Sequence, residues 1–369
     1  MSTPEKTVVI TGVAGNLGVR LLREIPDFDV LGLDMHPIPA ERLPNPCPPL
    51  QFESMDVGEE SSCSELVNLL RRTRAQLVVH LAFVIDPVRT GVLDVSRMWR
   101  INVAGTARVM EAISIVNRTG GLVNKFIFIS SVSAYGPDLP GPVTEDYPLG
   151  AHTLPYAIHK RESDEVVQAR ADSLGTCRTY ILRPHIFAGA SMQNYLVNIL
   201  RGTPYGRGWL GRYLERRGKK LPALIPYGQK YLNTRFQYVH VDDMARLLAW
   251  LLRRREVGSG TTILNVAGRG DAVSFRRCAE IAGSRIKRLP GTAACRMILN
   301  LGWKLGISCV PAAAVPYFTG TYLLDTTRLQ QLLGKEYKDV IRHTCEEALA
   351  DSFRQETSGR PAAVEPVTT

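Results

Sequence analysis

Along the first half of the chain, apolar positions come as short unbroken runs separated by stretches in which they recur every three to four residues. Thr7-Val8-Val9-Ile10, Val30-Leu31-Gly32-Leu33 and Phe126-Ile127-Phe128-Ile129 have almost no polar member, as expected of strands buried on both faces. This pattern predicts strands over 6–11, 30–34, 50–55, 76–81 and 125–130, with helices over 16–25, 62–74 and 96–117. Further on it predicts a helix over 156–174, a strand over 179–183, a helix over 242–254, a strand over 262–267 and a helix from Ser274. Strands alternating with helices imply βαβ units. The expected fold class is therefore α/β, a Rossmann-like, doubly wound parallel sheet.

Two regions depart from the alternation. Residues 187–235 are rich in Gly, Pro, Arg and Tyr, and the apolar runs of 285–323 are broken by Pro290, Pro311 and Pro316. Both read as irregular. The expected division is a sheet domain, 1–184 with 236–270, and a smaller, partly irregular C-terminal lobe over the substrate, 185–235 with 271–354. Residues 355–369, rich in Ser, Gly, Pro and Thr, read as a disordered tail.

Composition narrows the setting. Of 369 residues, 45% are hydrophobic and 22% charged, which is ordinary for a globular protein. No apolar stretch is long enough to span a membrane, and the N-terminus, polar before Thr7, has no export signal. A cytoplasmic location is expected. Seven cysteines, Cys47, Cys63, Cys177, Cys278, Cys295, Cys309 and Cys345, form no C-x-x-C pair. Neither a disulfide framework nor a metal site is expected.

The net charge is +10. Much of the excess lies in Arg207, Arg212, Arg216, Arg217, Lys219 and Lys220, interleaved with Trp209, Leu210, Tyr213 and Leu214. A solvated basic segment is the preferred reading. A phosphate-bearing substrate or peripheral contact with anionic lipid are the functional alternatives. No nucleic-acid-reading motif accompanies the charge, so no nucleic-acid partner is expected.

Thr11-Gly12-Val13-Ala14-Gly15-Asn16-Leu17-Gly18 follows the first strand and opens the first helix. Gly12, Gly15 and Gly18 at this spacing allow a tight turn, close approach to a pyrophosphate and tight helix–strand packing. The helix start favours phosphate. Asp34, ending the second strand, stands where a carboxylate would bind adenosine ribose hydroxyls. A carboxylate there repels a 2′-phosphate, and no Arg follows it, so NAD is expected rather than NADP. Asp56 reads equally as an adenine contact or as a capping Asp.

Later in the chain, Tyr156 and Lys160 stand four apart, on one helix face. A free Tyr titrates near 10, too high for a base at neutral pH. A neighbouring ammonium is expected to lower it.

Together these segments resemble a known family. The glycine loop, His80-Leu81-Ala82, Asn102-Val103-Ala104-Gly105-Thr106, Ser130-Ser131-Val132-Ser133-Ala134-Tyr135-Gly136, Tyr156-x-x-x-Lys160, Leu182-Arg183-Pro184 and Val239-His240-Val241-Asp242-Asp243 stand in one order. That order is similar to the extended short-chain dehydrogenase/reductases, the NAD-dependent epimerase/dehydratase group, over about residues 6 to 350.

The resemblance implies a Ser131-Tyr156-Lys160 catalytic set and a small-molecule substrate. It also implies cofactor contacts from Gly12, Gly15, Asn16, Leu17, Gly18, Asp34, Asp56, Val57, Leu81, Ala82, Asn102, Tyr156 and Lys160. In that set Tyr156 is the acid/base, Ser131 holds the substrate oxygen, and Lys160 lowers the Tyr pKa and bonds the nicotinamide ribose. A homodimer pairing helices 96–117 and 156–174 is implied as well. Asn102 reads equally as an active-site or a structural residue. His80 and Ser133 read as structural, His159 as facing away from the reaction, and His185 as a strand-end residue.

Two departures from the family bear on the reaction. Dehydratases carry Asp-Glu directly after the catalytic hydroxyl residue; here Val132 and Ser133 stand there, which excludes water elimination by those positions. Epimerases of UDP-sugars carry an Arg four residues before the His of the His-Val-x-Asp run. Here that position is Phe236, with Arg235 one residue earlier, and a one-residue slip on a strand turns a side chain to the other face. Phe83 replaces the small residue often found in the family after His-Leu-Ala, which is expected to make the nicotinamide surroundings more apolar or narrower.

The leading expectation is an NAD-dependent oxidoreductase or epimerase, nucleotide-sugar epimerase-like. The alternative is an NAD(P)-dependent dehydrogenase of a lipophilic or steroid-like alcohol. A non-catalytic NAD-binding protein ranks last, because Ser131, Tyr156 and Lys160 are all present.

Overall fold

The structure, a computed structural model, describes residues 6–85, 93–121, 123–202, 208–255, 258–308 and 310–354. Seven strands form the central sheet: β1 (Thr7–Thr11), β2 (Asp29–Asp34), β3 (Leu50–Ser54), β4 (Leu77–His80), β5 (Lys125–Ile129), β7 (Arg178–Pro184) and β12 (Gly260–Val266). Their spatial order is β3-β2-β1-β4-β5-β7-β12, and every neighbouring pair is parallel. Order reverses between β1 and β4, the switch point at whose carboxyl end such sheets bind ligands.

The crossovers are α1 (Asn16–Glu24), α2 (Ser62–Thr73), α3 (Val95–Trp99), a π turn at Arg100–Ala104, α4 (Gly105–Arg118) and α5 (Pro155–Arg170). Successive strand residues point to opposite faces. Val8 and Ile10 join Leu21, Leu22, Leu247 and Leu248 on one side, and Val9 joins Leu66, Leu70, Ile113, Phe126 and Phe128 on the other. Burial on both faces explains why these strands read as continuous apolar runs.

The expectation of irregular structure over 187–235 and 285–323 is corrected. These regions hold α6 (Tyr195–Arg201), α7 (Trp209–Arg216), α8 (Gln229–Asn233), α11 (Gly291–Lys304) and α12 (Val315–Thr319), while α9 (Val241–Arg253) and α10 (Phe275–Ala282) lie between them. Their strands are short and pair over long separations. The parallel ladders are β8 (Ile186–Ala188) with β11 (Tyr238–His240), β9 (Ala223–Pro226) with β14 (Ile286–Leu289), and β6 (Pro142–Val143) with β15 (Leu323–Leu324). One ladder is antiparallel, β10 (Arg235–Phe236) with β13 (Val273–Ser274). Strands of two to four residues carry too few positions for a visible period.

The prolines start helices rather than dissolve structure: Pro290 is the N-cap of α11, and Pro316 lies in the first turn of α12. A separate apolar cluster, including Leu196, Leu200, Ile225, Phe236, Phe275 and Cys278, is the core of these elements. The chain then returns to the sheet. Within α13 (Thr327–Leu333) and α14 (Tyr337–Val340), Leu329, Leu333 and Val340 pack into the sheet's own core, and α15 (Cys345–Asp351) closes the other cluster. The expected tail, Arg207 and Cys309 lie outside the described residues. Among the described residues, no helix is long and apolar enough to cross a membrane.

Candidate active site

The site is built at the carboxyl ends of β1, β4 and β5. After Thr11 the chain turns at Gly12 with φ of 74°. A Cβ at Gly12 would lie 2.6 Å from the Ala82 amide nitrogen and 2.8 Å from the Leu81 carbonyl carbon. Only glycine lets this loop touch the end of β4. At Gly18 a Cβ would meet the Val13 carbonyl oxygen at 2.4 Å, so α1 sits directly on the loop. Gly15 is the N-cap of α1 in extended backbone, with no side chain capping it. First-turn amides therefore remain for an anion.

Asn16 donates to the Ser191 carbonyl at 3.2 Å and to its hydroxyl at 2.9 Å. Leu17 packs against the sheet core. Arg20, one turn on, pairs with Asp242 at 2.5 Å. The start of α1 is thus tied to the loop after β8 and to α9, a connection nothing in the sequence announced. Asp34 is half-buried at the end of β2. It accepts from Ala14 N at 3.0 Å and from Met35 N at 2.8 Å. Burial pushes its carboxyl up, against those backbone hydrogen bonds. Asp56 accepts from Gly58 N at 2.8 Å and so caps its own turn beside buried Val57.

His80 is buried between two hydroxyls: Thr11 at 2.6 Å from Nδ1 and Thr106 at 3.1 Å from Nε2. Burial holds it neutral, at about 3, in the structural role its position suggests. Asn102 projects from the π turn. Its Oδ1 accepts from Val84 N at 2.7 Å and its Nδ2 donates to Val84 O at 3.1 Å, which clamps the backbone that follows Leu81 and Ala82. His159 faces Asn102 at 3.3 Å.

Ser131 caps the short 3₁₀ turn Val132–Tyr135, its Oγ accepting from Ser133 N at 3.1 Å and from the Ser133 hydroxyl at 2.9 Å. Pro155 occupies the first turn of α5, where its missing N–H costs nothing. Tyr156 follows it and Lys160 stands one turn on. Lys160 Nζ donates to the Ile129 carbonyl at 2.7 Å. This bond anchors α5 to the end of β5, two residues before Ser131. The Phe83 ring lies against both α5 side chains. Its centroid is 3.3 Å from Lys160 Nζ, and its plane stands edge-on to Tyr156 at 5.9 Å.

The expected lowering of Tyr156 by Lys160 is corrected by what surrounds the phenol. Burial raises the Tyr156 phenol above 10, opposed by the Ser131 and Ser133 hydroxyls. Burial likewise takes Lys160 well below 10.5, opposed by Asp164. The ammonium lies 6.0 Å from the Tyr156 ring centroid, while Phe83 is in direct contact. Desolvation outweighs the cation's pull.

Tyr317 and Tyr322 were not anticipated. Tyr317 donates to the Ser133 carbonyl at 3.3 Å and meets Tyr322 edge-on at 5.6 Å. Both phenols lie near Tyr156; burial pushes Tyr317 up to about 12. They come from the segment read as irregular, so no periodic signal marked them. His185 Nδ1 accepts from Ile186 N at 2.9 Å, and its Nε2 donates to the Tyr322 carbonyl at 2.5 Å. Burial holds it at about 4, and both nitrogens serve backbone.

Behind α5, Arg183 pairs with Asp164 at 2.8 and 3.0 Å and donates to Tyr135 and the Glu145 carbonyl, each at 2.8 Å. On β10, Phe236 is fully buried against Phe275 and Arg235 is exposed. The ladder to β13 is regular, so no bulge returns Arg235 to the side of Phe236.

Among the described residues, His240, Asp243 and His343 are the one group whose ligand atoms converge. Arg246 already pairs with the same Asp243 oxygen, which makes this an ion-pair cluster.

The fold and the glycine loop define a Rossmann-type dinucleotide-binding protein. Residues 8–267 match the NAD dependent epimerase/dehydratase family, and the chain belongs to it. It is an NAD-dependent enzyme. Among curated relatives, UDP-glucose 4-epimerase 4 of Oryza sativa subsp. japonica is 24% identical over 76% of this chain and 80% of its own. UDP-glucose 4-epimerase of Haemophilus influenzae is 26% identical over 72% and 79%. Solved structures with the same fold include MoeE5 in complex with UDP-glucuronic acid and NAD, at TM-score 0.62 and 21% identity over 94% of this chain and 97% of its own. Thermus thermophilus UDP-glucose 4-epimerase in complex with NAD has a TM-score of 0.64 and 20% identity over 94% and 98%.

The residues present fit NAD. Gly12 leaves a cradle that a Cβ would fill, and the α1 amides are uncapped. The Ser130 hydroxyl, at the end of β5, is buried with no hydrogen-bond partner among the described residues.

Proposed function

We propose that the protein is an epimerase of a nucleotide sugar or a close analogue, acting on a hydroxyl-bearing carbon with Ser131, Tyr156 and Lys160. The observation that supports this reading is the Ser131 hydroxyl against the Tyr156 phenol, with Lys160, one turn along α5, bonded to the Ile129 carbonyl at the end of β5. The relatives named UDP-glucose 4-epimerase support it. Bound NAD supplies an acceptor for a hydride and a donor to return it. Gly12, Gly15, Asn16, Leu17 and Gly18 hold the pyrophosphate at the start of α1. Asp34 bonds the adenosine ribose hydroxyls. Asp56, Val57, Leu81, Ala82 and Asn102 shape the remaining contacts. Tyr156 takes the substrate hydroxyl proton at its phenolate oxygen and later gives it back. Ser131 holds the substrate oxygen. Lys160 bonds the nicotinamide ribose.

Residues 1–184 with 236–270 hold the cofactor. Residues 185–235 with 271–354 cover the substrate, and Tyr317 and Tyr322 wall the reacting centre. The protomers pair through α4 and α5; a single-chain mass by sedimentation velocity would remove that pairing. The test of function is incubation with UDP-glucose, UDP-glucuronic acid and their 4-epimers, followed by NMR of the sugar. Interconversion without added NAD is expected. No interconversion, with net NAD reduction on an alcohol instead, would overturn the reading.

A second reading, oxidation of a lipophilic alcohol, is favoured by one observation. The position where UDP-sugar epimerases carry a phosphate-pairing Arg is filled by buried Phe236, with Arg235 turned outward.

A further inference from the structure

Charge is segregated in this chain. Segments 208–235 and 283–323 contain twelve Lys and Arg against one acid, Glu215, which leaves 33 basic and 34 acidic residues in the remainder. The whole net charge of the protein therefore sits in two segments that fold together through the β9–β14 ladder and through the Gly208 N to Gly306 O bond of 3.0 Å.

The same segments hold most of the exposed large apolar side chains. Of thirteen among the described residues, seven are here: Trp209, Tyr213, Tyr227, Met297, Ile298, Leu301 and Leu305. Met297 and Leu301 on α11 and Leu305 at its C-cap are spaced four apart, a single stripe, and are 68%, 55% and 48% exposed. The Gly208–Gly306 bond sets Trp209, 73% exposed at the start of α7, beside the end of that stripe. Arg296 and Lys304 flank it on α11, and both are exposed. Beneath it lies an apolar cavity of about 370 Å³, which Ile298, Leu301 and Leu305 line while remaining exposed, so its mouth opens at the stripe. Ser131, Tyr156 and Lys160 do not line this cavity.

We propose that this face docks on an anionic lipid bilayer, with the α11 stripe and Trp209 entering the headgroup layer and the surrounding Lys and Arg meeting the lipid phosphates. The arrangement disfavours other occupants. A second copy would bring two faces of the same strong positive charge together. A nucleic acid would neutralise the charge but leave Trp209, Met297 and Leu301 in water. A rigid protein surface would close over the cavity mouth and leave the apolar space behind it empty, whereas flexible acyl chains can follow it inward.

The proposal does not rest on the epimerase reading, and its test keeps the two apart. Full-length protein is sedimented with phosphatidylcholine vesicles, with and without phosphatidylglycerol, at low and high salt. Wild type should pellet with the mixed vesicles, about tenfold or more less with phosphatidylcholine alone, and less at high salt. Trp209→Ser/Met297→Ser/Leu301→Ser and, separately, Lys219→Glu/Lys220→Glu should each weaken binding about tenfold or more. Unchanged unfolding midpoints would show that both variants still fold. Tyr156→Phe should bind as wild type does. Wild type remaining in the supernatant with mixed vesicles overturns the proposal. So does a triple Ser variant that binds undiminished, because the contact would then be one of charge alone.

Discussion

At the scale of single residues, Tyr156 and Asp34 are both buried against their charged forms. The cofactor-free protein should therefore show no tyrosine at this site ionising below 10. A phenolate absorbance titration of wild type minus Tyr156→Phe reads this directly, and a difference signal near neutral pH would contradict it. In turnover, Tyr156→Phe should cost about 10²- to 10⁴-fold in kcat with NAD still retained. Asp34 has its pKa raised by burial. An acid whose folded pKa exceeds its unfolded 3.8 costs stability once the pH has passed through both values. Asp34→Asn should therefore not lower the unfolding midpoint of the cofactor-free protein at neutral pH. It should weaken NAD binding about tenfold or more by losing a charged hydrogen-bond acceptor. Calorimetry of both quantities checks the pair; a variant that binds NAD as wild type does would remove Asp34 from the site.

At the scale of elements, α5 is fixed at two points. Lys160 bonds the end of β5, and Asp164, one turn on, holds Arg183 of β7 in a fully buried pair. Asp164→Leu would leave the Arg183 guanidinium buried with one carboxylate fewer and should cost about 3–5 kcal/mol of stability, read by urea unfolding. A loss below about 1 kcal/mol would mean that the Tyr135 and Glu145 contacts suffice. The i,i+4 relation of Tyr156 and Lys160 was legible because helical geometry is local. Tyr317 and Tyr322 beside them were not, since they arrive from the far end of the chain. The helix expected over 96–117 also hid its π turn, the local device that presents Asn102.

At the scale of the whole molecule, folding buries His80 and His185 as neutral rings, at about 3 and about 4 against an ordinary 6.5. Below 6.5 the unfolded chain takes up protons that the folded chain refuses. Stability should fall as pH drops from 6.5 toward 4, by about 1.4 kcal/mol per pH unit for each ring. A urea midpoint that stays flat from about pH 7 to pH 4.5 would show that these rings are not buried neutral.

The central sheet, the glycine loop, Asp34 and the Tyr156–Lys160 spacing could be read from sequence because each depends on period or on neighbours within one βαβ unit. The arrangement of the C-terminal lobe, the side of β10 to which Arg235 turns, and the balance of burial over charge at Tyr156 depend on contacts between residues far apart in the chain. Only the tertiary structure decides those, because desolvation is a property of everything that surrounds a group and not of the residues beside it in sequence.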